Sequence, residues 1–333
     1  MTPATAPAAA FLLSLVASAA LTAGWTTLAR RRQWVDAPDP RRLHSTPTPR
    51  GGGVGIAVCG MAALAAVALT GSSLPGADWM AVGVAGFALV GLIDDLRPLS
   101  PLVKLLGQLL AALALVQPLA SGGWMLAGAW ALAAAYSVNI VNFMDGSNGL
   151  VAVQGLLLAA ALAFWPGQAP MLALLACVVA GACVGFLPFN LPRARVFLGD
   201  VGSHALGALL FGLVAASLAA SVLSPAQALL LGMPLLLDTG LTLLRRAREG
   251  RPLWQAHREH LYQLAIARGR SHLAVCLAYA AWTVTAIALA LWLPQFRSSL
   301  VMWMLTMLAW CLAAGACVHL RRQWLQQRGA RHD

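Results

Sequence analysis

The sequence predicts an all-α polytopic membrane protein, and three observations support this fold class. Apolar residues make up 60% of the 333-residue chain. Charged residues account for only 10% of it, against about 25% in soluble globular proteins. The apolar residues also gather into eleven stretches whose lengths suit bilayer-spanning helices. This composition excludes a soluble enzyme, a disordered chain and a disulfide-rich secreted domain.

The eleven predicted spans follow one another with no soluble domain between them, so residues 1–333 form one integral-membrane domain. The third and sixth are the shortest. The first span is not a signal peptide, because no basic residue precedes it. The spans are Ala8–Ala29, Gly52–Thr70, Ala77–Ile93, Pro101–Leu119, Trp124–Val141, Gly149–Trp165, Pro170–Phe189, Ser203–Val222, Pro225–Leu244, Leu273–Leu293 and Ser299–Val318.

Almost all charges lie in alternate loops between the spans. Of the 22 basic residues, 21 lie in or beside these charged loops, and only Arg297 lies in the opposite set. The positive-inside rule therefore places the charged loops and the C-terminus in the cytoplasm and the N-terminus outside. The net charge of +11 follows from this topology and from attraction to anionic headgroups, so we expect no nucleic-acid partner. The charged loops cover about residues 30–51, 94–100, 142–148, 190–202 and 245–272.

Two adjacent carboxylates, Asp94 and Asp95, end the third predicted span. Ser100 and Pro101 are typical of the start of the next helix, as N-cap and first residue. Lys104, the only lysine in the chain, falls in the first turn of that helix and can face the two acids. The acidic pair suits a divalent metal, a proton acceptor or both, and the lysine offers a compact charge for phosphate oxygens.

Two further loops place an acidic side chain among glycines. The first contains three oxygen-bearing side chains, Asn142, Asp145 and Asn148, and the second contains Asp200, with Ser203 expected to open a helix. Taken singly, each acid could be a helix cap or the partner of a nearby arginine. Together, and without a cage of histidine or cysteine, these hard oxygen ligands favour Mg²⁺, which takes one or two carboxylates plus substrate phosphates.

Two other charged loops contain candidate binding residues. In the last loop, His257 and His260 would share one face of a helix, but the HExxH pattern and a third zinc ligand are both absent. Nearby arginines suit a polyanion, and a surface helix lying at the headgroups is the alternative. The first loop is too rich in proline to be helical, so it is predicted to be an extended basic strap that contains His44 and Arg50. An ordinary topogenic loop is the alternative there.

Taken together, these loops resemble the polyprenyl-phosphate N-acetylhexosamine-1-phosphate transferases, which form glycosyltransferase family 4. The resemblance covers nearly the whole chain, and it implies ten or eleven spans with a cytoplasmic site. The motifs in register are His44…Pro49-Arg50-Gly51-Gly52, Asp94-Asp95…Ser100-Pro101…Lys104-Leu105-Leu106-Gly107-Gln108, Asn142-Phe143-Met144-Asp145-Gly146, Phe197-Leu198-Gly199-Asp200…Gly202-Ser203 and His257…His260.

The resemblance implies a role for each candidate residue. Asp94 and Asp95 lie near the polyprenyl phosphate, one of them as proton acceptor, and Lys104 lies beside the phosphates; these three are the catalytic candidates. Asp200 is the implied Mg²⁺ ligand, assisted by Asp94, and Mn²⁺ is a substitute ion. Asn148 replaces an aspartate that many relatives have. The implied substrate-binding residues are His44, Arg50, Asn142, Asp145, Asn148, His257, Arg258 and His260.

The activity implied by the resemblance is transfer of a sugar 1-phosphate from a UDP-N-acetylhexosamine to undecaprenyl phosphate in the bacterial inner membrane. UMP is released, and a lipid-linked polysaccharide such as O-antigen is initiated. The histidine loop is more similar to O-antigen enzymes than to the peptidoglycan enzyme, which implies N-acetylglucosamine or a 6-deoxy-N-acetylhexosamine. Direct attack and a covalent aspartyl intermediate both stay open, as does a homodimer.

Two other functions are weighed against this one. A secondary transporter places polar residues near the bilayer midplane, often in repeated halves. Here the middle of the spans is nearly free of charge, with Asp238 as the main exception, and no repeat is evident. A scaffold for polymer-assembly enzymes would leave the clustered aspartates without a role.

Overall fold

A computed structural model describes residues 6–36, 47–70, 74, 76–253, 255, 257–296 and 298–329. This part of the chain is a bundle of α-helices with one antiparallel pair of two-residue strands, β1 (Val35–Asp36) and β2 (Thr48–Pro49). The helices are α1 (Ala6–Arg31), α2 (Val54–Leu69), α3 (Ala77–Leu96), α4 (Pro101–Val116), α5 (Trp124–Met144), α6 (Leu150–Ala163), α7 (Pro170–Asn190), α8 (Gly199–Ala219), α9 (Pro225–Arg248), α10 (Leu261–Ala267), α11 (His272–Trp292) and α12 (Ser299–Gly329).

The all-α membrane fold is confirmed. Within the described residues, nine helices are long and apolar enough to cross a membrane, and two shorter apolar helices, α2 and α6, accompany them. These eleven helices coincide with the eleven predicted spans. The remaining helix, α10, has only seven residues and lies in the last charged loop. Of the predicted strap, His44 lies outside the described residues.

Several helices are longer than predicted at the charged end of the bundle. Asp94 and Asp95 belong to the last turn of α3, and Asn142 belongs to the last turn of α5. Helix α8 begins at Gly199, so Asp200 lies in its first turn and Ser203 does not open the helix. An acidic residue is favourable there, because the first turn of a helix exposes unpaired N–H groups and a partial positive charge.

Helix α1 packs against α7 through small and hydroxyl-bearing residues. The Ser18 hydroxyl donates to the carbonyl oxygen of Ala182 over 2.8 Å. A Cβ atom added to Gly181 would lie 2.2 Å from the carbonyl oxygen of Phe11, so only glycine permits this approach. Close backbone packing of this kind holds helices together in lipid, where apolar burial alone gives no driving force.

The strap is attached to the segment that leads into α8. The Phe197 N–H donates to the Pro49 carbonyl oxygen, and the Gly52 N–H donates to the Phe197 carbonyl oxygen, both over 2.8 Å. The Gly53 N–H continues this pairing to Leu198. The end of the strap therefore lies beside the first turn of α8.

Candidate functional site

Four carboxylates come together at the charged end of the bundle, where α3 and α5 end and where α4 and α8 begin. A glycine in α3 allows that helix to lie close to the start of α8. A Cβ atom added to Gly91 in α3 would lie 2.2 Å from the backbone carbonyl oxygen of Asp200. Because α3 can lie this close to α8, the acids at the end of α3 stand next to Asp200.

Lys104 joins two of these acids. Its Nζ atom lies 2.9 Å from Asp94 Oδ2 and also forms an ion pair with Asp200 Oδ2. Ser100 caps α4 through the Val103 N–H, which places Lys104 in the first turn, as expected. The three charged side chains are only 18–27% exposed, so water screens the pairs less than it would at a surface.

The two adjacent acids of α3 have different partners. Asp94 Oδ1 accepts the Leu99 N–H over 2.7 Å, whereas Asp95 Oδ2 accepts the Val201 N–H over 3.0 Å. Gly199 has φ +76°, and a Cβ atom there would lie 2.6 Å from Asp95 Oδ2. Glycine is required at this position, both for the left-handed backbone and for the space that Asp95 occupies.

The end of α5 completes this cluster. The Asn142 side-chain amide donates to Asp200 Oδ1 and to the Ser203 hydroxyl, each over 3.0 Å. Asp145 follows the helix and accepts the backbone N–H of Gly199. Burial, and then the charges of Asp200 and Asp95, raise the pKa of Asp145 well above its ordinary value. The turn after α5 thus brings a fourth acid into a place that already holds excess negative charge.

Two residues that the sequence does not single out, His272 and Asn190, hold the rest of that turn. His272, the first residue of α11, places Nδ1 3.0 Å from the Ser147 hydroxyl and 3.3 Å from the Asn148 backbone nitrogen. Asn190 accepts the Gly149 N–H over 2.5 Å. The Asn148 side chain donates to the Pro192 carbonyl oxygen over 3.3 Å. In sequence, His272 is a lone histidine at the edge of a span, with nothing to single it out.

His257 and His260 lie together, although not on a helix as predicted. Helix α10 begins at Leu261, after both histidines, because Asp238 binds the N–H groups of its first turn. Their rings are nevertheless 4.9 Å apart. His260 is only 2% exposed and stacks against Phe143 at 6.2 Å. Because His260 is buried, the alternative of a surface helix lying at the headgroups is wrong for this residue.

Burial determines the charge of both histidines. It lowers the pKa of His257 to about 4, and the neighbouring His260 and Arg246 act in the same direction. It lowers the pKa of His260 as well, although Asp238 opposes the shift. At neutral pH the pair therefore offers hydrogen-bonding groups, not positive charges.

Asp238 of α9 supports the segment from His257 to Tyr262, which we call the histidine segment. Its Oδ1 atom accepts the Leu261 N–H over 2.6 Å, and its Oδ2 atom accepts the Tyr279 hydroxyl over 2.6 Å. Arg321 of α12 approaches the same carboxylate to 3.4 Å. This buried acid thus anchors the start of α10, and a transport role is not needed to explain it.

The arginines around the site are largely committed to acidic partners. Arg246 and Arg251 bind Glu259 Oε1 over 2.6 and 3.1 Å, and Arg50 pairs with Asp36 beside the strap. Arg258 follows His257 directly and interacts with neighbouring groups too. The sequence suggests that the arginines near the histidines bind a polyanion, but one of them, Arg251, is engaged with Glu259 inside the protein.

The donor set fits a hard divalent cation that shares its coordination with a ligand. No group of three or more histidine, cysteine or acidic side chains in the described parts of the chain is arranged as a metal cage. However, Mg²⁺ needs only one or two carboxylates when phosphates supply the rest. Lys104 pairs with only two of the four aspartates, Asp94 and Asp200, and a divalent ion among the acids would favour their ionised forms.

Comparison with known proteins gives relatives for most of the chain. The model of "Glycosyl transferase family 4" matches residues 79–218. A decaprenyl-phosphate N-acetylglucosaminephosphotransferase of Mycobacterium leprae is 33% identical over 308 residues, which cover 77% of this chain and 75% of the relative. A probable undecaprenyl-phosphate N-acetylglucosaminyl 1-phosphate transferase of Bacillus subtilis is 29% identical over 86% of this chain and 87% of the relative.

A phospho-N-acetylmuramoyl-pentapeptide-transferase of Moorella thermoacetica is also similar, with 36% identity. That match covers 37% of this chain and 48% of the relative, a smaller share than the matches to the N-acetylglucosamine enzymes. The helical bundle and the acidic cluster in the matched segment agree with this family, and the match to the Mycobacterium leprae relative covers most of the chain. The chain belongs to glycosyl transferase family 4.

Proposed function

We propose that this membrane protein transfers a sugar 1-phosphate from a UDP-N-acetylhexosamine to undecaprenyl phosphate. The observation that carries the proposal is Lys104, held between Asp94 and Asp200 at the charged end of the bundle. Relatives named for phosphotransfer to polyprenyl phosphates support the reaction class. A phosphate oxygen of the lipid attacks the β-phosphorus of the donor, the bond from that phosphorus to the bridging oxygen breaks, and UMP leaves.

The main obstacle to this reaction is the repulsion between two anions. Lys104 offers a compact positive charge, and its two carboxylate partners hold it in one place. The donor set suits Mg²⁺ held by Asp200 and Asp94, and the ion would supply charge neutralisation on the phosphates. An acceptor phosphate is already ionised near neutral pH, so Asp95 or Asp94 need not act as a strong base. Asn142 fixes the orientation of Asp200.

We assign the donor to the side of the site formed by the turn after α5 and the histidine segment. Asp145, Asn148, His257, Arg258 and His260 are the proposed contacts there. The neutral histidines suit the polar groups of a nucleotide-sugar, since they can donate or accept hydrogen bonds. Arg50, on the strap beside α8, is a further proposed contact, and we assign the lipid phosphate to Asp94 and Asp95.

The sugar and the pathway are the finer part of the proposal. The matches to N-acetylglucosamine enzymes cover more of the chain than the match to a muramoyl-pentapeptide enzyme. We therefore propose N-acetylglucosamine or a 6-deoxy-N-acetylhexosamine as the sugar. The product would be the first lipid intermediate of a surface polysaccharide such as O-antigen, made on the cytoplasmic face of the inner membrane.

The test is UMP release by the purified protein in detergent or lipid vesicles. We expect UMP only when a UDP-N-acetyl sugar, undecaprenyl phosphate and Mg²⁺ or Mn²⁺ are all present, and none after chelation. A panel of UDP-N-acetyl sugars then identifies the donor. Substrate uptake into vesicles without UMP would support the transporter instead, and the absence of both activities would support a scaffold.

A further inference from the structure

A second polar layer lies one helical turn deeper than the pair of Lys104 and Asp200. Gln108 follows Lys104 by four residues on α4, and His204 follows Asp200 by four residues on α8. Gln108 Nε2 lies 2.7 Å from His204 Nε2. Residues four apart lie above one another on a helix face, so α4 and α8 meet through polar groups at two successive levels.

Helix α5 contributes to both levels. At the outer level, Asn142 donates to Asp200 Oδ1. At the inner level, Asn139 exchanges two hydrogen bonds with Gln108, of 2.7 Å to Gln108 Oε1 and 3.3 Å from Gln108 Nε2. We call Lys104, Asn142 and Asp200 the outer layer, and Gln108, Asn139 and His204 the inner layer.

The inner layer is placed where polar groups are costly. Gln108 is 1% exposed and His204 is 0% exposed. Burying an amide or an imidazole in a membrane protein costs free energy unless its hydrogen bonds are made, and an apolar pair would fill this place at no such cost. None of the inner-layer residues has a part in the proposed chemistry, so their polarity needs another explanation.

Directional hydrogen bonds supply that explanation. Apolar side chains let two helices slide or rotate slightly, whereas a hydrogen-bonded pair fixes their relative depth and rotation. A displacement of about 1 Å at a catalytic group can reduce a rate about 100-fold. Lys104 and Asp200 come from different helices, so their alignment depends on how α4 and α8 are held.

We propose that Gln108, Asn139 and His204 are positioning residues that align Lys104 with Asp200. They do so by fixing α4, α5 and α8 at one depth and one rotation. The effect on turnover rests on the proposed transferase function, whereas the effect on the environment of Lys104 does not.

The test replaces the inner pair by apolar side chains. Removing one partner leaves the other unpaired, whereas replacing both partners with leucine can be nearly neutral for stability. Asn139 loses its bonds to Gln108 in this variant but keeps its bond to the Ala135 carbonyl oxygen over 2.8 Å. We therefore expect the double variant Q108L/H204L to keep a near-normal unfolding temperature while kcat falls at least about tenfold. In H204Q the amide oxygen can still accept from Gln108, so kcat should be retained, whereas H204L should lose it.

A second readout is independent of activity. Because Lys104 is the only lysine, amine methylation followed by mass spectrometry reports on its side chain alone, apart from the N-terminus. We expect slow methylation in the wild type and in H204Q, and methylation several times faster in Q108L/H204L and H204L.

The matched control is another buried polar pair, Gln154 of α6 and Thr283 of α11. The variant Q154L/T283V should change neither kcat nor the methylation rate. The positioning role would be overturned if the methylation rate of Lys104 were unchanged in H204L. It would also be overturned if Q154L/T283V changed kcat and the methylation rate as much as Q108L/H204L does. If the variants are methylated faster but the wild type makes no UMP, the alignment role stands and the transferase proposal is wrong.

Discussion

The Tyr262 hydroxyl donates a hydrogen bond to the backbone carbonyl oxygen of Phe143 over 2.9 Å. Tyr262 lies in the first turn of α10, and Phe143 lies between Asn142 and the turn that carries Asp145. A Cβ atom on the neighbouring Gly146 would lie 2.3 Å from the same hydroxyl oxygen. This contact joins the histidine segment to the carboxylate cluster.

Replacing Tyr262 with phenylalanine tests the importance of that junction. The change removes one hydrogen bond and leaves a buried carbonyl unpaired, which costs about 1–3 kcal/mol. We expect a higher KM for the UDP-sugar and little change in the apparent affinity for undecaprenyl phosphate. Steady-state kinetics with each substrate varied in turn provide the measurement. Y136F, on the half-exposed Tyr136 of α5, is the control and should match the wild type.

The pair of Lys104 and Asp200 is the most sensitive point of the proposed chemistry. We expect K104M to lower kcat roughly 100-fold or more, because a preorganised charge is lost where the transferring phosphate needs it. D200N should abolish Mg²⁺-supported turnover, since an amide is a poor ligand for this ion. UMP release under saturating substrates is the measurement. Near-normal turnover of D200N at low Mg²⁺ would contradict the metal assignment.

The control for these substitutions is D78N. Asp78 lies in the first turn of α3, at the opposite end of that helix from Asp94. Its loss should leave kcat unchanged while removing the same formal charge as D200N. All three variants should insert into membranes and purify like the wild type.

The histidine segment makes stability depend on pH. The pKa of His257 is lowered to about 4 from an ordinary value of 6.5, so the unfolded chain binds more protons than the native state between these values. Stability therefore falls as the pH decreases from about 6.5 toward 4. We expect the unfolding temperature to drop less in H257Q than in the wild type between pH 7 and pH 5. An equal drop in both proteins would contradict this origin, and H319Q, at an exposed position of α12, serves as the control.

Labelling of single cysteines tests the orientation. In a cysteine-free background, S298C lies in the loop before α12, on the side predicted to be outside, and R193C lies in the charged loop before α8. Both positions are exposed. An impermeant maleimide should label S298C in intact cells and R193C only after permeabilisation. Labelling of both positions in intact cells would contradict the predicted topology.

The sequence predicted the helices of the bundle well, because membrane spans depend on composition, which can be read locally. It also predicted that Lys104 would face the acids of α3, since Ser100 and Pro101 fix where α4 begins. It did not predict that Asp94, Asp95 and Asp200 would be helical, because glycines and acids at span ends resemble loop signals. Hydropathy cannot show that partners elsewhere satisfy those acids.

The residues that hold the site in place, Asp238, His272 and Asn190, could not be predicted because their contacts are long-range. Asp238 binds the start of α10 and Arg321 across long sequence separations, and no local pattern encodes such contacts. Hydropathy marks Asp238 as an unusual charge within a span, but it does not identify the partners of that charge. His272 binds the Ser147 hydroxyl and a backbone N–H of the turn after α5, and Asn190 accepts another backbone N–H there, so their residue types alone carry no signal.

The two short helices have a consequence for the surrounding lipid. Helices α2 and α6 have 16 and 14 residues, or about 24 and 21 Å at 1.5 Å per residue, against a hydrocarbon core of about 30 Å. Both begin next to the carboxylate cluster, after Gly53 and Gly149. Exposed apolar residues of α2, such as Val58 and Leu69, meet the surrounding lipid. Hydrophobic mismatch of this kind thins the bilayer locally and brings its headgroup level closer to the depth of Lys104. Turnover should therefore be faster in lipids with short acyl chains than in lipids with long ones.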